Sequence, residues 1–151
     1  MKKTLAEKGP TTYLKRLICS GCGKNYAHNR VQTKCQTCGA PLLAEYDTKA
    51  IGAAVKPADL KDRVSSIWRY REFLPLPLDV EPVSLREGHT PLIKLAREPK
   101  RLKVEDLWLK DESKNPGFTF KARGMSVAVS LAVQLKLDRL ALRSAGNAGA
   151  P

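Results

Sequence analysis

No apolar run in these 151 residues approaches the ~20 needed to cross a bilayer. The lysine-rich start, Met1 to Pro10, has no apolar stretch of signal-peptide length behind it. Neither a membrane partner nor secretion is supported, so a cytoplasmic protein is expected. Internal repeats and low-complexity segments are missing as well. Acidic residues are scarce: 15 Asp and Glu stand against 27 Lys and Arg, a net charge of +12. The basic residues are interleaved with the acids and form no aromatic-flanked stripe of the kind that grips single strands. A solvated surface is the expectation, nucleic acid is not an expected partner, and attraction of an anionic substrate or cofactor stays open. A hydrophobic fraction of 42% suffices for a packed core, and 28% charged residues is ordinary for a soluble protein.

Cysteine is present in a pattern. Cys19-Ser-Gly-Cys22-Gly and Cys35-Gln-Thr-Cys38-Gly form two C-x2-C pairs separated by twelve residues. Two intervening residues let both thiolates of one turn face one metal, and the glycine after each pair tolerates the positive φ of so tight a turn. The spacing points to a closed four-thiolate site for structural zinc, with a rubredoxin-like iron site open as the alternative. Disulfides do not suit the expected compartment, and a redox C-x-x-C needs no duplication. His28 is read as a surface residue, since four thiolates already complete the sphere.

Composition divides the chain into a flexible lead-in over residues 1–12, a metal-stapled ribbon over 13–47, a linker and helix over 48–82, and the start of a larger domain over 83–151. Within these, Thr48 to about Pro57 reads as linker. Asp59 to Phe73 has helical spacing, with Leu60, Val64, Ile67 and Trp68 on one side and Asp59 as cap. Pro75, Pro77 and Pro82 end that helix. Loop then strand is expected over Val83 to Leu95, and a buried strand over Val104 to Lys110. Gly124 to Leu137 is the clearest helix, its apolar face Met125, Val129, Ala132, Val133 and Leu137. A short buried strand at Leu140–Arg143 is followed by Ser144-Ala-Gly-Asn turning into another helix. Strand, helix, strand of this apolar character is the pattern of an α/β unit around a parallel sheet.

A lysine that forms a Schiff base must be neutral part of the time, and the positive end of a helix favours that form and attracts phosphate. Lys121 stands just before the expected helix. Several segments around it occur in one order: Ile67-Trp-Arg-Tyr70, Glu87-Gly-His-Thr-Pro-Leu92, Lys110-Asp-Glu112, Asn115-Pro116, Phe120-Lys121, Arg123-Gly124 and Ser144-Ala-Gly-Asn147. From about Leu17 onward the chain thereby resembles the pyridoxal-phosphate enzymes of the threonine synthase and tryptophan synthase β type. The ribbon resembles the one that many bacterial and archaeal threonine synthases carry.

The resemblance implies fold type II: an open parallel-sheet pyridoxal-phosphate domain behind a zinc ribbon. It implies that Lys121 binds pyridoxal 5'-phosphate covalently and moves protons on the substrate, and that Asn147 hydrogen-bonds the cofactor's ring hydroxyl. Ser144, Ala145 and Gly146 would face the carboxylate of a small-molecule substrate. The implied reaction of the intact enzyme, which could be a homodimer, is O-phospho-L-homoserine plus water to L-threonine plus phosphate. Cysteate synthase, a serine/threonine deaminase, or a ribbon binding module with a decayed enzyme remnant are the alternatives. The chain reads as the N-terminal part of such an enzyme, expected to be inactive alone, with the glycine-rich phosphate loop beyond Pro151. One departure stands out: where the family has Thr-Gly-Ser, this chain has Gly117-Phe118-Thr119, so that Phe118 replaces a glycine in a tight turn.

Overall fold

In the computed structural model, residues 11–150 are described. Most of the expected lead-in (residues 1–10) and Pro151 lie outside the described residues. Short β-prone pieces between the cysteines fold as β1 (Leu14–Cys19), β2 (Asn25–Tyr26) and β3 (Leu42–Tyr46). They form an antiparallel sheet in the order β2-β1-β3, with Leu17 opposite both Tyr26 and Ala44. Its core is Cys19, Tyr26 and Cys35, flanked by Leu17, Ala40 and Leu42. So few apolar side chains cannot offset the ordering entropy of about 35 residues, each costing roughly 1–2 kcal/mol, which is why the module needs a staple.

The expected linker after residue 48 is instead helical at its start. α1 (Thr48–Ala54) is capped by Asp47, whose carboxylate accepts from Ala50 N at 2.9 Å, and it buries Ile51. Seven residues are too few for a periodic apolar face to show in the sequence. The single helix expected over 59–73 is also corrected. Two 3-10 turns, Pro57–Leu60 and Ile67–Phe73, replace it. Asp59 does not lead a helix but reaches back to Lys56 N at 2.7 Å. Ser66 interrupts the run with an extended backbone, its hydroxyl accepting from Trp68 N at 3.2 Å. Serine competes with helical hydrogen bonding in this way. Val64, 57% exposed, consequently shares no face with the buried Trp68.

Farther on, β4 (Leu92–Lys94) and β5 (Trp108–Lys110) pair antiparallel, with Ile93 opposite Leu109. α2 (Glu98–Leu102) lies between them in sequence, and α3 (Lys121–Gln134) follows. The α/β character expected of this half stands in that alternation, but among the described residues its strands pair antiparallel and not in the parallel sheet expected. Three details differ from expectation. Only Trp108–Lys110 of the 104–110 segment is strand, and Trp108 and Leu109 are exposed rather than buried. α3 begins and ends three residues early and buries Ala122, Ser126, Ser130 and Ala132, leaving Val133 and Leu137 exposed. Leu140–Arg143 is not a strand, because no described strand pairs with it to satisfy its backbone.

α3 faces the ribbon. An apolar groove of about 370 Å³ runs between it and the ribbon, lined by Leu14, Leu17 and Leu42 on one side and Leu131, Ala132 and Leu135 on the other.

Candidate functional site

Both cysteine pairs close in the same way. Gly23 N donates to Cys19 O at 3.1 Å and Gly39 N to Cys35 O at 3.0 Å, with φ of +72° and +75° at the two glycines. A Cβ at either would meet nothing within 4 Å, so it is the left-handed backbone that calls for glycine there. The turns aim backbone N–H groups at sulfur: Gly21 N and Cys22 N each lie 3.3 Å from Cys19 Sγ, and Thr37 N lies 3.4 Å from Cys35 Sγ.

All four Sγ atoms lie within 4.8 Å of one another, with Cys19–Cys38 at 3.4 Å and Cys22–Cys35 at 3.6 Å. A tetrahedron with metal–sulfur bonds of about 2.3 Å has edges of about 3.8 Å. The cluster therefore has the size a metal ion needs. Its electrostatics agree. The Tyr26 hydroxyl, 3.1 Å away, draws Cys35 down to about 5. The N–H of Cys22, with that of Gly21, lowers Cys19. Cys38 is pushed up to about 12: an N–H from Ala40 favours its thiolate, but the neighbouring sulfurs together outweigh it. Without a cation the four sulfurs cannot all ionise. The cluster can hold a metal.

Lys121 is the first residue of α3, not the residue before it, and its side chain is exposed. The turn that delivers it is built from Asn115–Thr119. Phe118 N donates to Asn115 O at 2.9 Å, and Thr119 Oγ1 accepts from Lys121 N at 3.4 Å. Gly117 and Phe118 both hold positive φ, +67° and +55°. The phenylalanine thus keeps the left-handed conformation that glycine adopts without strain, and its ring is 86% exposed.

Behind that turn stands a hydrogen-bonded web, most of whose members lie in the sequence motifs but have no role evident from sequence alone. Arg123 grips Glu112 through Nε and Nη2, both at 2.8 Å. Glu112 also accepts from Thr90 Oγ1 at 2.6 Å and Asn115 Nδ2 at 2.8 Å. Its pKa falls to about 2, chiefly through the hydrogen bond from Arg123, with Thr90 and Asn115 adding to it. Asn115 Oδ1 in turn accepts from Gly88 N at 2.8 Å. Gly88 lies so close to the Trp68 segment that a Cβ would sit 2.6 Å from Ile67 N. Glu87, only 2% exposed, accepts from Trp68 Nε1, Ser84 Oγ and Leu85 N at 2.8–3.0 Å. The Glu-Gly-His-Thr, Trp-Arg-Tyr and Lys-Asp-Glu motifs are therefore one scaffold for the lysine turn. Their joint appearance in the sequence was the signal, and the long-range pairing was invisible there.

The Ser144–Gly149 stretch forms a turn without the helix expected after it. Ser144 Oγ accepts from Gly146 N at 3.0 Å and Ala148 N at 3.2 Å, and Gly146 sits at φ +133°. One of the N–H groups expected to face a substrate, that of Gly146, is thus folded back onto Ser144, together with that of Ala148. Ser144, Ala145, Gly146 and Asn147 are exposed, and among the described residues no hydrogen bond links them to Lys121.

Comparison with known proteins shows what this arrangement is similar to. Residues 83–150 match the family model "Pyridoxal-phosphate dependent enzyme". The chain is 36% identical over 134 residues to a threonine synthase of Methanosarcina acetivorans, covering 89% of this chain and 32% of that protein. It is 37% identical over 132 residues to one of Methanocaldococcus jannaschii, covering 87% and 32%. It is 40% identical over 82 residues to one of a Bacillus species, covering 54% and 23%. The chain spans about a third of the length of the two archaeal relatives. No solved structure gives a significant match. Over residues 83–150, where the Lys121 turn and its scaffold lie, the chain is similar to the pyridoxal-phosphate dependent enzymes, and along most of its length it is similar to threonine synthases.

Proposed function

We propose that residues 83–150 form the front of a threonine synthase-like active site in which Lys121 holds pyridoxal 5'-phosphate, with a structural zinc ribbon over residues 13–47 and a connecting segment over 48–82. The observation that carries this reading is the placement of Lys121. It opens a 14-residue helix, its side chain is exposed, and among the described residues no carboxylate lies within ion-pair distance of it. No carboxylate competes with an incoming aldehyde for this side chain. When bound, the cofactor supplies the electron sink for chemistry at the substrate carbons.

The protein's part is orientation and proton movement. The web of Glu112, Asn115 and Arg123 fixes the turn before α3, so Lys121 Nζ is presented from a rigid base and can take a proton from, or return it to, a substrate carbon beside it. Asn147 is the residue for the cofactor's ring hydroxyl. Ser144 Oγ now occupies Gly146 N and Ala148 N; its rotation away would free both donors for a substrate carboxylate. The reaction in the intact protein is conversion of O-phospho-L-homoserine and water to L-threonine and phosphate, a reading supported by the similarity to proteins named threonine synthase.

The test joins residues 1–150 to the remainder of the Methanocaldococcus jannaschii relative. Borohydride reduction after cofactor loading should place the pyridoxyl group on Lys121, and Lys121→Ala should abolish both the label and threonine formation. Label on Lys110 or Lys114 instead would refute the assignment.

A further inference from the structure

We propose that the cleft between Arg69 and Lys110 binds a small oxyanion, a phosphate or a phosphate monoester. This cleft of about 340 Å³ is lined by Arg69, Tyr70, His89, Thr90, Lys110 and Arg123. Two arginines, a lysine and two hydroxyl-bearing side chains line it, and no carboxylate does. Only Arg123 has an acidic partner among the described residues, Glu112. Arg69 spends its guanidinium on groups other than carboxylates: Nη1 lies 2.8 Å from His89 Nδ1, Nη2 donates to Leu60 O, and Cζ sits 5.8 Å from the centre of the Tyr70 ring. Its Nε is buried without a partner. Lys110 Nζ donates to the Thr90 carbonyl and meets no acid. The cleft therefore holds about two uncompensated positive charges, and like charges gathered this closely repel.

A phosphate group carries about −1.5 to −2 charges near neutral pH and three strong acceptor oxygens. It would cancel the excess, and a guanidinium fork beside an ammonium suits its several oxygens. The loop that frames the cleft is held for close approach. Gly88 and His89 sit at φ +100° and +51°, and a Cβ on Gly88 would lie 3.0 Å from Arg123 Nη1. The volume exceeds that of a bare phosphate, leaving room for the carbon chain of an ester. None of this depends on Lys121 holding a cofactor.

Titrating the 151-residue chain with inorganic phosphate, glycerol 3-phosphate and acetate at low ionic strength, followed by amide NMR, tests the site. Saturable shifts centred on Tyr70, His89 and Thr90 are expected, with both phosphates binding more tightly than acetate. Arg69→Gln and Lys110→Gln should each weaken phosphate about tenfold, the loss expected for one charge-assisted contact, while Lys103→Gln leaves it unchanged. Because Arg69 also ties Leu60 and His89, Lys110→Gln decides if Arg69→Gln loses its fold. Shifts scattered over surface lysines or centred on the Ser144 turn would overturn the proposal, as would equal binding of acetate or an unaltered affinity in Lys110→Gln.

Discussion

Phe118 keeps a left-handed backbone while its ring packs on almost nothing, so the conformation is imposed by the turn before α3 and not by the side chain. A non-glycine residue there costs roughly 1–2 kcal/mol. Phe118→Gly should therefore raise stability by about 1 kcal/mol, the gain reduced by glycine's greater freedom when unfolded; a urea midpoint that falls instead would show that the ring has a structural role. Glu112 gives the second residue-level expectation. Its folded pKa lies below its ordinary value, so the stability it contributes is complete above pH ~4.5 and is lost as pH falls toward about 2. The side chain is 27% exposed, and screening reduces the expected contribution to about 2 kcal/mol. Unfolding free energy followed from pH 6 to pH 2.5 should drop by less in Glu112→Gln than in the parent chain.

Among the elements, α3 shows why a helix can be legible while its buried face is not. The apolar spacing of Met125, Val129 and Val133 pointed to a helix, yet the face that packs most closely is Ala122, Ser126 and Ser130. Small residues let the 83–87 segment approach until Ser130 Oγ accepts from Val83 N at 2.9 Å and Ser126 Oγ donates to Val83 O at 2.8 Å. Polar side chains used as close-packing glue carry no hydropathy signal, so that face was not readable in advance. The cysteine turns were readable because metal geometry fixes their spacing locally. Lys121 and the Ser144 turn were found through motif order. The scaffold under them depends on partners tens of residues away, such as Trp68 with Ser126, and no local pattern announces those. Ser130→Ala should leave Val83 N without its partner and cost about 1–2 kcal/mol. Hydrogen exchange should then quicken at Val83, with the helicity of α3 unchanged by circular dichroism.

On the scale of the whole molecule, the ribbon and α3 face one another across the apolar groove lined by Leu17 and Leu131, so unfolding of the ribbon would expose that face of α3. Structural zinc in small fingers contributes roughly 10–16 kcal/mol. Chelation should unfold residues 13–47 and, by uncovering Leu131 and Leu135, raise hydrogen exchange in the second half of α3 while its first turn stays protected. Exchange confined to the ribbon would show that the groove transmits nothing. Another consequence concerns time. The ribbon closes its sheet and its four sulfurs within a stretch of about 35 residues, whereas Trp68 waits for Ser126, 58 residues downstream. Closing so long a loop is entropically slower than zipping a local hairpin. During synthesis the ribbon can fold, with metal bound, as soon as residue 47 clears the ribosome. From its own synthesis until that of Ser126, 58 residues later, Trp68 awaits its last partner, and in that interval the nascent chain is most exposed to misfolding and most in need of chaperone cover.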